Sequence, residues 1–265
     1  MLTVDDVALL IDKLAPSQLA EDWDNVGLLV GHRRRPVRKI MTCLTVTPAT
    51  ATEAIERKVD VMVSHHPLPF RPLKRLTSDT IEGRLLLDLI AADVAIISPH
   101  TAFDSALLGI NERLAEGIGL SDIVPLIPAV DFVEDNRVGA GRCGRLPAGT
   151  SLDQLVLRVK RFLALEHLRV VGPLDREVTR VAIACGSGGE FLDRARAAGC
   201  DGMLTGEASF HACLAAQSAG MGLVLAGHFA SERFAVEYLA EVVAAQLPGI
   251  DVWACRREED PIRTV

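Results

Sequence analysis

Short β-rich apolar runs that alternate with helical stretches constrain this chain more than any other feature. Runs at 39–46, 59–64, 94–98, 181–184, 202–205 and 223–226 are rich in Val, Ile, Leu and Ala and too short for buried helices. Between most of them lie stretches with apolar residues at helical spacing, at 49–58, 81–92, 107–116, 190–198 and 209–219. Strand alternating with helix predicts an α/β layered fold. A helix over 3–14, capped by Thr3 and stopped near Pro16, opens the chain, and an amphipathic helix over 232–245 comes near its end. Between about 121 and 175 the pattern loosens, with Pro125, Pro128, Gly139, Gly141, Gly144, Pro147 and Gly149 crowded together before a helical run at 152–163. That loosening places a domain boundary near 125. Residues 21–28 read as a polar loop entering a strand, with Asn25 and Gly27 suited to a turn and Trp23 a packing anchor. The closing stretch, RREEDPIRTV, is polar enough to be partly frayed.

Composition narrows the class. At 265 residues, with 49% apolar and 24% charged residues, the chain can bury a core without disulfides, and aromatics at 4% make that core aliphatic. A net charge of −7 argues against general nucleic-acid binding, because such a surface repels a phosphate backbone. The one basic run, Arg33 to Lys39, reads as a solvated loop leading into a strand. Six cysteines show no CxxC pair, which fits a reduced, cytoplasmic setting better than a zinc ribbon or a disulfide scaffold. The N-terminus lacks signal-peptide patterning, no segment approaches the ~18 apolar residues of a membrane span, and no repeat is visible.

Chemistry collects at strand ends. VMVS runs into His65-His66-Pro67, VAIIS into Pro99-His100-Thr101-Ala102-Phe103-Asp104, and LVLA into Gly227-His228-Phe229-Ala230-Ser231-Glu232. In an open α/β sheet, ligands bind outside the carboxyl ends of the strands, so these clusters can converge though far apart in sequence. Imidazole and carboxylate are the donors of Zn, Fe, Mn or Ni sites, and no Cys stands near them in sequence to make a thiolate zinc site. His65 and His66 are neighbours, and neighbours in a regular strand point to opposite faces, so a shared site needs the chain to turn or each His to serve its own ion. If a helix starts near Ser231, His228 precedes it and Glu232 lies in its first turn. His32 and His167 have no such company and read as ordinary polar residues. Thr205-Gly206-Glu207 with His211 reads either as part of the same crevice or as a helix start with an i,i+4 pair. Gly186-Ser187-Gly188-Gly189 reads either as an anion-binding loop or as a tight turn.

Together these motifs resemble the NIF-three-like family of dinuclear-metal proteins, which includes the GTP cyclohydrolase I type 2 homologues. The resemblance spans nearly the whole chain and rests on WDNVGLLVG at 23–31, SHHPLPFRPLKRL at 64–76, HTAFD at 100–104, GSGG at 186–189, TGE at 205–207 and GHFASE at 227–232. It implies that His65, His66, Asp104, His228 and Glu232 bind two divalent metal ions per chain. It also implies two α/β domains with mixed sheets flanked by helices, the first completed by the C-terminal segment. The corresponding divisions are 1–125 plus 226–265 for the metal-binding domain and 126–225 for the second. A homohexamer with its metal sites facing a central cavity follows from the same resemblance. Ala102 and Phe103 depart from the commoner Asn-Leu of the HTNLD block, which touches the pocket's shape and not the ligands.

Two bridged ions would supply a hydroxide near neutral pH, so the leading expectation is a metal-dependent hydrolase. With a purine nucleotide such as GTP as substrate, GSGG or the arginines near 71–75 would hold phosphates, and His100 or Glu207 would carry protons as catalytic residues. The competing expectations are a metal-binding scaffold or metal chaperone without turnover, and a partner-binding adaptor.

Overall fold

A computed structural model describes residues 1–130 and 137–263. The chain forms two mixed sheets flanked by helices and divides into two compact units. The first comprises Met1–Phe103 with Ala235–Pro261, and the second Asp104–Phe234 with Ile262–Val265, of which Thr264 and Val265 lie outside the described residues.

In the first unit, helix α1 (Val4–Leu14) starts where Thr3 and Asp6 form a reciprocal capping box. Strands β1 (Gly27–Val30), β2 (Lys39–Cys43), β3 (Val61–Ser64) and β4 (Ala95–Ser98) follow, with α2 (Pro48–Arg57) and α3 (Ile81–Ala91) as crossovers. The last strand, β11 (Asp251–Ala254), arrives from the far end of the chain, so the sheet order is β1-β4-β3-β2-β11. All pairs are parallel except β1 with β4. Burial on both faces explains the continuous apolar runs: β3 and β4 are buried at every position.

The second unit has the order β5-β6-β8-β9-β10-β7. Its strands are β5 (Ser121–Pro128), β6 (Gly139–Arg145), β7 (Arg169–Val171), β8 (Arg180–Ala184), β9 (Gly202–Thr205) and β10 (Gly222–Leu225). Helices α5 (Ile110–Gly117), α6 (Leu152–Leu163), α7 (Leu192–Ala197) and α8 (Phe210–Ser218) belong to it, while α4 (His100–Ser105) and α9 (His228–Gln246) each carry the chain across a unit boundary. The central β8, β9 and β10 are parallel and match the apolar runs at 181–184, 202–205 and 223–226.

Strands β5 and β6 occupy the stretch where the sequence pattern loosens. Pro125 and Pro128 are accommodated because β5 is an edge strand, where a missing N–H breaks no ladder. The glycines of β6 are there for close approach: a Cβ at Gly139 would stand 2.2 Å from the Ile127 carbonyl oxygen. Position 125 falls inside β5, whose pairing with β6 ties it to the second sheet; the units divide instead after Phe103 and after Phe234.

A buried charge anchors each unit. Arg142, fully buried in β6, donates through Nε to Glu112 and through its terminal nitrogens to the carbonyls of Gly139, Gly141, Ser105 and Ala106. Glu53, buried on α2, accepts from Trp253 Nε1 at 3.1 Å, Cys255 Sγ at 3.1 Å and the amides of Arg256 and Arg257 at 2.9 and 3.1 Å. Within the closing stretch 256–265, Glu53 fastens the backbone of Arg256 and Arg257. Burial pushes the Glu53 carboxyl up, but these four donors outweigh it and hold it below the ordinary carboxylate value.

Candidate metal centre

In the first unit, the β2–β3 ladder runs two residues past β3: His65 N–H donates to the Cys43 carbonyl at 2.9 Å and His66 N–H to that of Leu44 at 2.8 Å. Pro67 has no N–H and stops it. Two serines hold the peptide planes of the histidine pair, Ser98 Oγ donating to the His65 carbonyl at 2.7 Å and Ser64 Oγ to that of His66 at 2.6 Å. The chain turns here, and both rings come together with centroids 5.0 Å apart. His100 completes the group, its ring 5.2 Å from that of His65 and 5.6 Å from that of His66. One donor nitrogen from each of His65, His66 and His100 lies within 4.8 Å of the others, close enough for a single cation to take all three.

His100 is oriented from behind. Its Nδ1 lies 2.7 Å from Asp24 Oδ1, and the other Asp24 oxygen accepts from Thr101 N–H at 3.1 Å and from the Thr101 hydroxyl. His100 has φ of +28°, a costly backbone for a residue with a Cβ, and the Asp24 contacts hold it there. Burial raises the Asp24 carboxyl, yet hydrogen bonds from His100, Thr101 and Asn25 bring it down to about 2. Nδ1–H bonded to a carboxylate leaves Nε2 as the ring's lone-pair atom. Asp24 belongs to the loop at 21–28, for which no such role is legible from residue type alone. Trp23, expected as a packing anchor, is instead 60% exposed and stands edge-on to Phe70 and His100 at 6.0 Å each.

In the second unit, α9 starts at His228 itself rather than near Ser231, so His228 and Glu232 face each other one helical turn apart. His228 Nε2 is 3.1 Å from Glu232 Oε2, and its Nδ1 is 3.7 Å from Glu207 Oε2. The hydrogen bond to Glu232 raises the His228 imidazole to about 9 against the cost of burial, with the charges of Glu232 and Glu207 adding to the rise. Asp104 Oδ1 accepts from the Cys185 thiol at 3.2 Å, and Asn111 bridges the two, accepting from Cys185 N–H and donating to the Asp104 carbonyl. A cysteine therefore does stand beside one of the expected ligands, brought in by β8 from 81 residues away. Burial, and then the Asp104 and Glu232 charges, push its thiol well above the ordinary value.

Gly186 and Ser187 form a bend against this group, and Gly188 opens a short 3₁₀ helix over Gly188–Phe191. Gly186 N–H donates to Ser231 Oγ at 3.0 Å, so that amide is already engaged. A Cβ at Gly186 would stand 2.1 Å from Glu232 Oε1, and its φ of +56° independently favours glycine. Glu207 lies before α8 and accepts from Ser187 Oγ at 3.3 Å, whereas His211 is exposed on α8 with its ring 6.0 Å from Phe210. His32 and His167 are exposed, and the basic run is a surface segment in which Arg33 pairs with Asp5 and Arg35 with Asp60.

The family model for Duf34/NIF3 (NGG1p interacting factor 3) matches residues 2–261. The chain belongs to this family. A GTP cyclohydrolase 1 type 2 homolog of Clostridium perfringens is 30% identical over all of both chains. The Protein NIF3 homolog of Schizosaccharomyces pombe is 34% identical, covering 96% of this chain and 95% of its own. Among solved structures, the Bacillus cereus protein related to NIF3 superposes with a TM-score of 0.89 over 100% of this chain and 99% of its own, at 24% identity. Family membership thus agrees with the resemblance of the strand-end motifs, and the fold with the expected pair of α/β domains with mixed sheets. Among the described residues, no helix is long and apolar enough to cross a membrane.

Proposed function

We propose that His65, His66, Asp104, His228 and Glu232 hold two divalent metal ions, drawn from Zn, Fe, Mn or Ni, and that the protein is a metal-dependent hydrolase. The observation that carries this reading is the meeting of the His65 and His66 imidazoles past the end of β3, with His100, oriented by the buried Asp24 carboxylate, beside them. The donor set fits such ions: imidazoles in the first unit, two carboxylates and an imidazole in the second, and no thiolate required. Bound there, the ions would supply a hydroxide near neutral pH and polarise the bond under attack.

The chain's own groups do the rest. His100, with Nδ1 tied to Asp24, presents Nε2 as a proton carrier, and Glu207 beside His228 is a second. Exposed rings at Trp23 and Phe70 offer flat apolar surface next to His100, and Arg71, Lys74 and Arg75 follow on the same loop. That combination suits a nucleotide-like substrate, a planar base with anionic phosphates, of which a purine nucleotide is the example we favour. We further assign the protein to the cytoplasm, which suits six cysteines none of which forms a disulfide, and to a homo-oligomer, the hexamer of the family resemblance.

Metal content of untagged protein, measured beside His65→Ala and Glu232→Ala, tests the ligand set. About two equivalents in the wild type and less in both variants are expected. Content unaffected by either substitution removes the assignment. Metal-restored protein is then assayed against nucleotides, phosphoesters and cyclic amides, and chelation must abolish any hydrolysis. Turnover of none of them leaves a metal-binding scaffold or chaperone.

A further inference from the structure

Beyond the ligands themselves, the segment after β11 reaches the site by a route of its own. Cys255 N–H donates to the Thr42 carbonyl at 2.7 Å, carrying the β11–β2 pairing one residue past the strands. Glu53 then clasps the amides of Arg256 and Arg257, which directs the chain across the carboxyl end of β2. There the Glu258 carboxylate takes two successive amides, Leu44 N–H on Oε2 at 2.9 Å and Thr45 N–H on Oε1 at 2.7 Å. Those amides follow the end of β2, and a bidentate carboxylate fixes both peptide planes at once. Thr45 Oγ1 in turn lies 2.7 Å from His66 Nδ1, while the Leu44 carbonyl accepts the His66 amide.

We infer that Glu258 and Thr45 form a positioning relay by which the C-terminal segment sets the ring of His66 for metal binding. The inference rests on His66 being a ligand, as proposed above. With Nδ1–H donated to Thr45 Oγ1, the lone pair of His66 is on Nε2, and the ring cannot rotate without losing that bond. Glu258 holds the hydroxyl in place by holding the backbone that bears it. Neither residue touches the metal. Nothing in the residue types predicts this arrangement, because Glu258 stands in a stretch whose composition reads as a frayed tail.

The test is Zn²⁺ affinity, by competition with a chromophoric chelator, for Thr45→Val, Thr45→Ser, Glu258→Ala, Glu258→Gln and the Thr45→Val/Glu258→Ala double variant. Thr45→Val is expected to bind about 10- to 100-fold more weakly, the range for losing a ligand's hydrogen-bond partner, and Thr45→Ser to bind like wild type. Glu258→Ala should weaken binding as well, Glu258→Gln less, since its amide oxygen still accepts one N–H. The double variant should be no weaker than Thr45→Val alone, because both changes break one chain. A structural role without relay would instead lower the melting temperature and give multiplying losses. Single variants within about twofold of wild type, or losses that multiply, overturn the inference. If the wild type takes up none of Zn²⁺, Fe²⁺, Mn²⁺ and Ni²⁺, the proposed function fails first. The relay is then judged separately by ¹⁵N-histidine NMR: loss of the Nδ1–H pattern of His66 in Thr45→Val and its disturbance in Glu258→Ala uphold it, and unchanged spectra overturn it.

Discussion

The carboxyl end of the first sheet gathers imidazoles, whereas the second unit gathers carboxylates. In the first, three rings meet, and serine and threonine hydroxyls, a buried aspartate and backbone carbonyls set their orientation. In the second, Glu207 and Glu232 flank a single imidazole, Asp104 accepts from the Cys185 thiol, and Gly186 makes room for Glu232. Without a metal ion, the carboxylates beside His228 raise its imidazole to about 9, the hydrogen bond to Glu232 contributing most. The buried anchors of the two units have the same inverted character: an anion ringed by N–H and S–H in the first, a cation ringed by carbonyls in the second.

The harshest way to break this contrast is at the anchors. Arg142→Ala should destabilise the protein by about 3–5 kcal/mol in urea unfolding, since it strands a half-buried Glu112 and four carbonyls. At the ligands, Glu232→Gln removes the counter-charge of His228, and an NMR titration of metal-free protein should show that imidazole falling from about 9 toward its ordinary 6.5. Next in size, Gly186→Ala should cost about 1–2 kcal/mol from its left-handed backbone alone, and should also lower metal affinity by pushing on Glu232. Alanine at Gly149, with φ of +76° and nothing within 4 Å of its added Cβ, controls for backbone strain and should leave affinity unchanged.

The smallest effect is in the pH dependence, where Glu53 is the test. Its carboxyl is held below the ordinary value, so its contribution to stability is fully present above that value and is lost as pH falls through the folded-state value. Glu53→Gln should therefore show a shallower fall in melting temperature on acidification than wild type, while the two curves run parallel above about pH 6. A wild-type curve with the same acid slope as the variant would mean that the clasp on Arg256 and Arg257 does not form.

How much of this was legible follows the physics of each element. Runs such as VMVS and VAIIS announce buried parallel strands because every residue is apolar, and the motifs at their ends announce ligand chemistry. β6 is hidden because Gly139, Gly141 and Gly144 read as loop, although they are strand glycines selected for close approach. β11 is hidden because its four residues carry no signal of their own and are strand only beside β2. Cys185 and Asp24 are in the same position, ordinary in type and informative only through Asp104 and His100.

Local sequence alone determined the α/β alternation, the burial of the central strands and the supply of His, Asp and Glu at strand ends. These depend on periodicity and side-chain chemistry within a few residues. Tertiary structure decided that His65, His66 and His100 turn toward one point, that α9 begins at His228, and that a polar C-terminal stretch is strapped to Glu53 and reaches Thr45. Those outcomes depend on hydrogen bonds between residues as far apart as 214 positions, whose partners no local pattern specifies.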